Sequence, residues 1–245
     1  MPPDWLTVAI GGVMLLATVV RSALGFGEAL VAVPLLALLI PVDVAAPVAV
    51  LASITVAAAV LARDRSRVQL SSVGRLLVSS LAGIPFGLLL LTRVAESTVE
   101  AVLGVVILAF SGYALLARRG PSLEDDRAAW LFGLVAGVLG GAYGMNGPPL
   151  VVYGSLRGWS PREFRATLQG YFLPASTVVM AGYALAGLWT REVTRTYLLA
   201  LPAVALGVLV GTLIHDRARA SRFTRYVHVA LLGVGTLLLA RALAG

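Results

Sequence analysis

The architecture of the protein is indicated most clearly by one stretch of sequence, WLFGLVAGVLGGAYGMNGPPLVVYGSL (residues 130–156). It is apolar throughout, except for a glycine- and proline-rich centre at Gly144–Pro149. The stretch Trp5–Ile40 has the same pattern, with Gly25–Gly27 at its centre. Each is too long for one straight span, since about 20 helical residues cross roughly 30 Å of hydrocarbon, and its second part is short for a full span. The pattern predicts two broken or re-entrant helices.

The composition places both stretches in a membrane protein. Of the 245 residues, 59% are hydrophobic and 13% are charged, and the mean hydropathy is +0.92. A soluble domain carries more polar surface, and a transmembrane barrel would show short alternating strands, which are absent. We therefore predict an all-α, multi-pass protein with about eight transmembrane helices in the lipid bilayer of the cell inner membrane.

The rare residue types exclude several function classes. The chain has no cysteine, and its two histidines, His215 and His228, are isolated, so we predict no metal site, no cofactor and no catalytic residues. The net charge of +7 comes from arginines in the breaks between apolar segments. No basic segment has the interleaved aromatic residues of a nucleic-acid surface, so we predict no nucleic-acid partner.

The loop arginines favour one topology. If each broken segment returns to the side where it began, fourteen arginines lie on one face and four on the other; if each crosses once, the split is ten to eight. The positive-inside rule prefers the first arrangement, which places both termini in the periplasm. The fourteen are Arg63, Arg65, Arg67, Arg75, Arg118, Arg119, Arg127, Arg157, Arg162, Arg165, Arg217, Arg219, Arg222 and Arg225.

This topology divides the chain into two halves of opposite orientation. They are residues 1–117 and 128–245, joined by a cytoplasmic linker at 118–127. The halves match in order: Gly25 corresponds to Gly144, and Gly83 and Gly87 correspond to a second pair, Gly207 and Gly211. Inverted repeats with broken helices are common among secondary transporters. We expect the two glycine pairs only to let helices pack closely.

The two breaks are candidate substrate-binding sites. A helix that begins inside the membrane presents free N–H groups and the positive end of its dipole, which together favour an anion. Asn146 suits the N-cap position, and Pro148 suits the first turn. The alternative is that glycine and proline only kink packed helices, but two breaks at corresponding positions favour a site. Its candidates are Gly25, Gly27, Gly144, Asn146, Gly147 and Pro148.

Four polar residues near the breaks complete the candidate site. Arg21 and Glu28 could meet across a returning hairpin, with Arg21 binding the substrate anion and Glu28 carrying a coupling proton. The alternatives are a structural ion pair, or an Arg21 side chain that extends to the membrane surface. Gln169 and Tyr171 lie in an apolar stretch, where they either contact the ligand or form hydrogen bonds with another helix.

Three segments resemble the sulfite exporter TauE/SafE family. They are RSALGFGEALVAVP (21–34), GGAYGMNGPP (140–149) and LRGWSPREFRATLQGYF (156–172). The resemblance implies a permease of about eight helices that exports sulfite, sulfoacetate or related organosulfur anions, driven by the proton gradient. Many family members have a more glycine-rich first motif, and Glu28 departs from it, so the substrate could differ as well.

These observations predict a secondary transporter, specifically a proton-coupled exporter of a small organosulfur anion. Two alternatives remain open: a passive anion channel that uses the same two half-helices, and a membrane assembly protein without transport activity. An enzyme is not expected, because no nucleophile–base pair lies near the breaks. The sequence leaves open whether two copies form a homodimer.

Overall fold

The computed structural model describes residues 4–62, 69–116, 123, 125–215 and 220–244. These residues form ten α-helices and no strand, which confirms the all-α prediction. The helices are α1 (Asp4–Leu24), α2 (Glu28–Leu36), α3 (Val42–Leu61), α4 (Leu70–Arg93), α5 (Glu96–Leu116), α6 (Ala129–Tyr143), α7 (Gly147–Leu156), α8 (Pro161–Leu185), α9 (Arg191–His215) and α10 (Ala220–Ala244).

Among the described residues, six helices are long and apolar enough to cross a membrane, fewer than the eight expected. They are α1, α3, α4, α5, α9 and α10. Helix α6 has 15 residues, about 22 Å, and is short for a span. Helix α8 has 25 residues, but its first third includes Glu163, Arg165 and Gln169, which lower its hydropathy.

Both apolar stretches are interrupted at the predicted glycines. Between α1 and α2, Gly25 and Gly27 have φ angles of +87° and +97°, and after α6 Gly144 has a φ of +66°. Glycine adopts this left-handed region without a steric penalty, so the chain can turn sharply there. Helices α2 and α7 have nine and ten residues, or about 14 to 15 Å, which is half the thickness of a bilayer.

Three of the predicted arginine-rich loops meet at one end of the bundle, which we call the arginine-rich face (described residues 69–75, 123, 125–127 and 155–165). The Leu123 N–H donates to the Leu156 carbonyl at 2.8 Å, and Arg157 forms an ion pair with Asp126 at 3.2 Å. The Gln69 N–H donates to Thr167 Oγ1 at 3.1 Å. The end of α7 thus lies beside the start of α6. Residues 216–219 of the fourth loop lie outside the described residues.

The opposite face gathers the other connections. A pocket of about 410 Å³ is lined by residues from the α2–α3, α4–α5 and α8–α9 connections, including Asp43, Glu96 and Glu192. Arg241, near the end of α10, donates to the Ala37 carbonyl after α2 at 3.3 Å. The end of the first broken segment therefore lies on the same face as the start of α9.

The helices pair across the two halves at the predicted glycines. A Cβ on Gly83 or Gly87 of α4 would overlap the Leu134 or Val138 carbonyl of α6, and Gly207 and Gly211 of α9 fit against α1 in the same way. The close packing expected of these glycines is confirmed. In both pairs the residue numbers of the two contacting helices increase in the same direction. Helix α4 therefore runs parallel to α6, and α9 runs parallel to α1. Helix α3 packs on α8, and α5 packs on α10.

We predict that Gly87→Ala destabilises the protein by about 1–3 kcal/mol, because the added methyl group overlaps the α6 backbone and forces the helices apart. The control lies on the same helix: a Cβ at Gly74 meets nothing within 4 Å. Gly74→Ala should therefore be neutral or stabilising by up to about 1 kcal/mol, as alanine favours a helix. Thermal unfolding in detergent measures both variants. Equal melting temperatures would contradict the packing described here.

Asp126 joins the loops of the arginine-rich face. It accepts hydrogen bonds from Tyr153 at 2.7 Å and Ser72 at 3.2 Å, and it pairs with Arg75 and Arg157. Its partial burial alone would raise the pKa, but the two hydrogen bonds and the two arginines outweigh burial and lower the pKa of Asp126 below its usual value.

We predict that Asp126→Asn destabilises the protein by about 1–3 kcal/mol at pH 7. Because folding lowers the pKa of Asp126, its contribution is present above the unfolded value of about 4 and is lost as the pH falls through the folded value. The difference in melting temperature from the wild type should therefore shrink between about pH 5 and pH 3. Asp125→Asn, an exposed neighbour, is the control and should change stability little. A difference that does not vary with pH would contradict this role.

Candidate functional site

Arg21 lies at the centre of a buried polar network that joins four helices. Its Nη1 donates to Glu28 Oε2 on α2 at 2.9 Å and to Ser53 Oγ on α3 at 2.6 Å. Its Nη2 donates to Gln169 Oε1 on α8 at 3.0 Å. The guanidinium also lies over the Phe172 ring, 4.8 Å from its centroid. Only 3% of Arg21 is exposed, so its side chain does not extend to the membrane surface.

Glu28 is the first residue of α2 and meets Arg21 across the turn, as the hairpin predicts. It is 1% exposed, and its second carboxylate oxygen accepts a hydrogen bond from Thr18 Oγ1 at 3.2 Å. The turn brings the two charges together because Gly25 and Gly27 reverse the chain within three residues. A buried carboxylate of this kind needs both a counter-charge and hydrogen bonds, and it has both.

Gln169 links the ion pair to the first break. Its Oε1 accepts from Arg21, and its Nε2 donates to the Gly25 carbonyl at 2.8 Å, so a backbone group freed from α1 finds a partner on α8. The Arg165 side chain, one turn earlier on α8, packs against Gly25. A hydrogen-bonded capping box at Ser160 and Glu163 starts α8 at Pro161 and so sets the positions of both side chains.

Both breaks face one small cavity between the half-helices. Its volume is about 20 Å³, room for roughly one water molecule. The start of α2 lines this cavity, and the first N–H groups of a helix have no acceptor within that helix. The lining residues are Arg21, Gly27, Glu28, Ala29, Leu30, Ser53, Gly144, Met145, Asn146, Gly147, Pro148 and Phe172.

Asn146 lines this cavity without a hydrogen-bond partner among the described residues. It occupies the N-cap position of α7, as predicted, but its side chain makes no capping bond, which corrects the expected role. The residue is 5% exposed. No hydrogen bond joins its amide to another described residue, so the amide can donate to a molecule in the cavity.

The structure brings together most of the predicted site residues, but not Tyr171. Its hydroxyl pairs with Ser80 Oγ on α4 at 2.5 Å, away from the cavity. Tyr143 and Tyr153, which flank the second break, likewise form hydrogen bonds elsewhere, with the Val99 carbonyl and Asp126. The predicted residues at or beside the cavity are Arg21, Gly25, Gly27, Glu28, Gly144, Asn146, Gly147, Pro148 and Gln169.

Four residues of the network were not predicted as site residues. Thr18 and Phe172 contact the ion pair, and Ser53 lies 3.2 Å from Ser176 at the crossing of α3 and α8. For Thr18, Ser53 and Ser176, the available signal was a small polar residue within a long apolar helix. That signal is weak, because a serine or threonine can also satisfy its hydroxyl within its own helix.

The chemistry of the site fits anion binding. The Arg21 guanidinium, the Asn146 amide and the first N–H groups of α2 can donate to an anion, and α7 adds the positive end of its helix dipole. Among the described residues, no group of three or more histidine, cysteine, aspartate or glutamate side chains gathers as metal ligands would.

Comparison with known proteins identifies the family of the chain. A family model described as "Sulfite exporter TauE/SafE" matches residues 10–238. A protein of Cupriavidus necator described as "Probable sulfite/organosulfonate exporter TauE" is 25% identical over 210 residues, which cover 84% of this chain and 82% of that protein. No solved structure matches the chain significantly. Since the family model covers most of the chain, the protein belongs to the sulfite exporter TauE/SafE family of multi-pass membrane transporters and is not an enzyme.

Proposed function

We propose that this protein is a secondary transporter that exports a small organosulfur anion such as sulfite or sulfoacetate. Family membership and the description of the Cupriavidus necator relative support the substrate class. The observation that carries the proposal is the cavity between the starts of α2 and α7, which is lined by Arg21 and by an Asn146 side chain that makes no capping bond.

The anion binds between the starts of α2 and α7. Arg21 supplies the charge, Asn146 donates through its amide, and the free N–H groups at the start of α2 complete the contact. Glycine at positions 27, 144 and 147 lets the backbone approach the anion. The cavity is smaller than such an anion, so binding requires the half-helices to separate, and the structure represents a closed state.

The halves 1–117 and 128–245 act as inverted repeats that move against each other, with 118–127 as a linker. The helix pairs α1–α9 and α4–α6 support this proposal, because α1 corresponds to α6 and α9 corresponds to α4, so each pair is the counterpart of the other. The arginine-rich face lies in the cytoplasm of a cell with an inner membrane, and both termini lie in the periplasm, following the charge bias of the loops. Rocking of the repeats opens the cavity to each side in turn.

A closed cavity with room for about one water favours a carrier over a passive channel. Glu28 is the proposed proton-carrying residue, since its carboxylate is buried against the substrate-binding arginine. The residues that form the proposed site all come from one copy of the chain.

We predict that Asn146→Ala weakens anion binding about ten- to a hundredfold without lowering stability. The amide forms no hydrogen bond with the described residues, so its loss costs the fold little, whereas one charge-assisted hydrogen bond to a ligand is worth about 1.5–3 kcal/mol. Titration calorimetry of the purified protein with sulfite, sulfoacetate and methanesulfonate measures the affinities. Tyr171→Phe is the matched control: it removes a buried hydrogen bond outside the cavity and should lower stability but not affinity. Wild-type affinity in Asn146→Ala would place the anion elsewhere.

We also predict transport with carrier kinetics. In proteoliposomes, an unlabelled organosulfur anion on one side should accelerate the exit of labelled sulfite from the other, because a loaded site returns faster than an empty one in alternating access. Arg21→Lys, which keeps the charge but loses the planar donor set, should reduce flux strongly, and the exposed Arg93→Gln should not. Flux that shows neither saturation nor acceleration by the opposing anion would indicate a channel.

A further inference from the structure

The Arg21 guanidinium is already engaged in this closed state. Nη1 is shared between Glu28 and Ser53, Nη2 is bound to Gln169, and one face of the guanidinium lies on Phe172. The third guanidinium nitrogen of Arg21, Nε, is buried and has no hydrogen-bond partner among the described residues. The strongest acceptor on Arg21 is therefore the Glu28 carboxylate, which occupies the place that a substrate anion needs.

Among the described residues, the charged side chain in contact with Glu28 is that of Arg21. The other groups around Glu28 are neutral: Thr18 on α1, Ser53 on α3, and Asn146 at the start of α7. From α8, the groups that reach Arg21 are the neutral Gln169 and Phe172.

The remaining charges near α2 lie at other positions. Arg165 of α8 packs on Gly25 at the break, while Arg241 of α10, which pairs with Glu100 of α5, contacts the Ala37 carbonyl beyond the far end of α2. The charge state of Glu28 therefore depends mainly on what else binds Arg21.

The cavity cannot hold both anions in their ionised forms. A volume of about 20 Å³ requires the anion to displace a neighbouring group, and the carboxylate competes for the same guanidinium donors. Two negative charges beside one buried cation repel each other, and one of them takes up a proton when it can. A sulfonate has no accessible proton affinity near neutral pH, so the proton goes to Glu28.

Thr18 suits Glu28 in both protonation states. Its hydroxyl lies 3.2 Å from Glu28 Oε1 and donates to the ionised carboxylate. A hydroxyl can also accept, so after rotation it receives the proton of the carboxylic acid without any movement of the backbone. Protonated Glu28 thus keeps a hydrogen-bond partner after it leaves Arg21.

We propose that the substrate anion and the Glu28 carboxylate compete for Arg21, so that each anion that binds brings one proton onto Glu28. This inference rests on the proposed function of the cavity as an anion site. The empty site holds Arg21 with ionised Glu28, and the loaded site holds Arg21 with the anion and protonated Glu28. Both have the same net charge when the anion is monovalent. The anion and the proton therefore cross the membrane together, in the same direction and without net charge movement, so export follows the outward gradient of the anion and is not driven by an inward proton gradient.

The test uses methanesulfonate, which stays ionised throughout the pH range and releases no proton of its own. Titration of the full-length protein in detergent, in two buffers with different ionisation enthalpies, gives the number of protons taken up per bound anion. We expect about one, and we expect the Kd to rise about tenfold for each unit of pH over the range in which the free protein holds ionised Glu28. Binding with no proton uptake and no dependence on pH would overturn this inference and leave the proposed function intact.

Glu28→Gln mimics the protonated residue and should bind methanesulfonate at least as tightly as the wild type, with no proton uptake and a constant Kd. Glu96→Gln, an exposed carboxylate at the opposite face, is the control and should keep the wild-type slope. If Glu28→Gln does not fold, the wild-type proton count decides alone. Wild-type protein that binds none of the anions overturns the proposed function, and this inference with it.

Discussion

A guanidinium in the middle of an apolar bundle must be surrounded by partners, and this requirement organises the centre of the molecule. Arg21 on α1 draws Glu28 from α2, Ser53 from α3 and Gln169 from α8 to a single point. Separating a buried ion pair leaves an uncompensated charge. The polar contacts of Arg21 therefore hold these helices together in addition to their packing. The two breaks lie at this point because freed backbone groups also need partners, and Gln169 serves both the arginine and the Gly25 carbonyl.

Around this centre, the half-helices α2 and α7 lie beside two closely packed helix pairs, α4–α6 and α1–α9. Backbone approaches backbone at Gly83 and Gly87 between α4 and α6, and again at Gly207 and Gly211 between α9 and α1. In a bilayer there is little hydrophobic gain from bringing helices together, so close contact of this kind supplies much of the attraction. The tight pairs form a frame, while α2 and α7 meet each other mainly at a small polar cavity. Movement is therefore easier at the cavity than within the frame.

The sequence predicted the features that depend on local rules. The glycines at the breaks and the Arg21–Glu28 hairpin follow from backbone conformation and chain reversal. The sequence could not predict which neighbouring helix each side chain of a uniformly apolar helix contacts. Gln169 and Tyr171 are two residues apart, which places them about 200° apart around α8, so one reaches Arg21 and the other reaches Ser80 on α4. Without an apolar–polar pattern, nothing in the sequence distinguishes these two sides.

The two halves share an arrangement of helices but not of charges. The positions of Arg21 and Glu28, four residues before and three residues after Gly25, correspond to Gly140 and Gly147 around Gly144. The second break contributes only neutral donors, and Gly140 leaves room beside it for the Asn146 side chain. A pseudo-symmetric frame thus encloses an asymmetric site with one cation and one carboxylate. Because both access states must use this same pair, the number of anions per transport step is limited to one, and the orientation of Glu28 toward or away from Arg21 distinguishes the empty carrier from the loaded one.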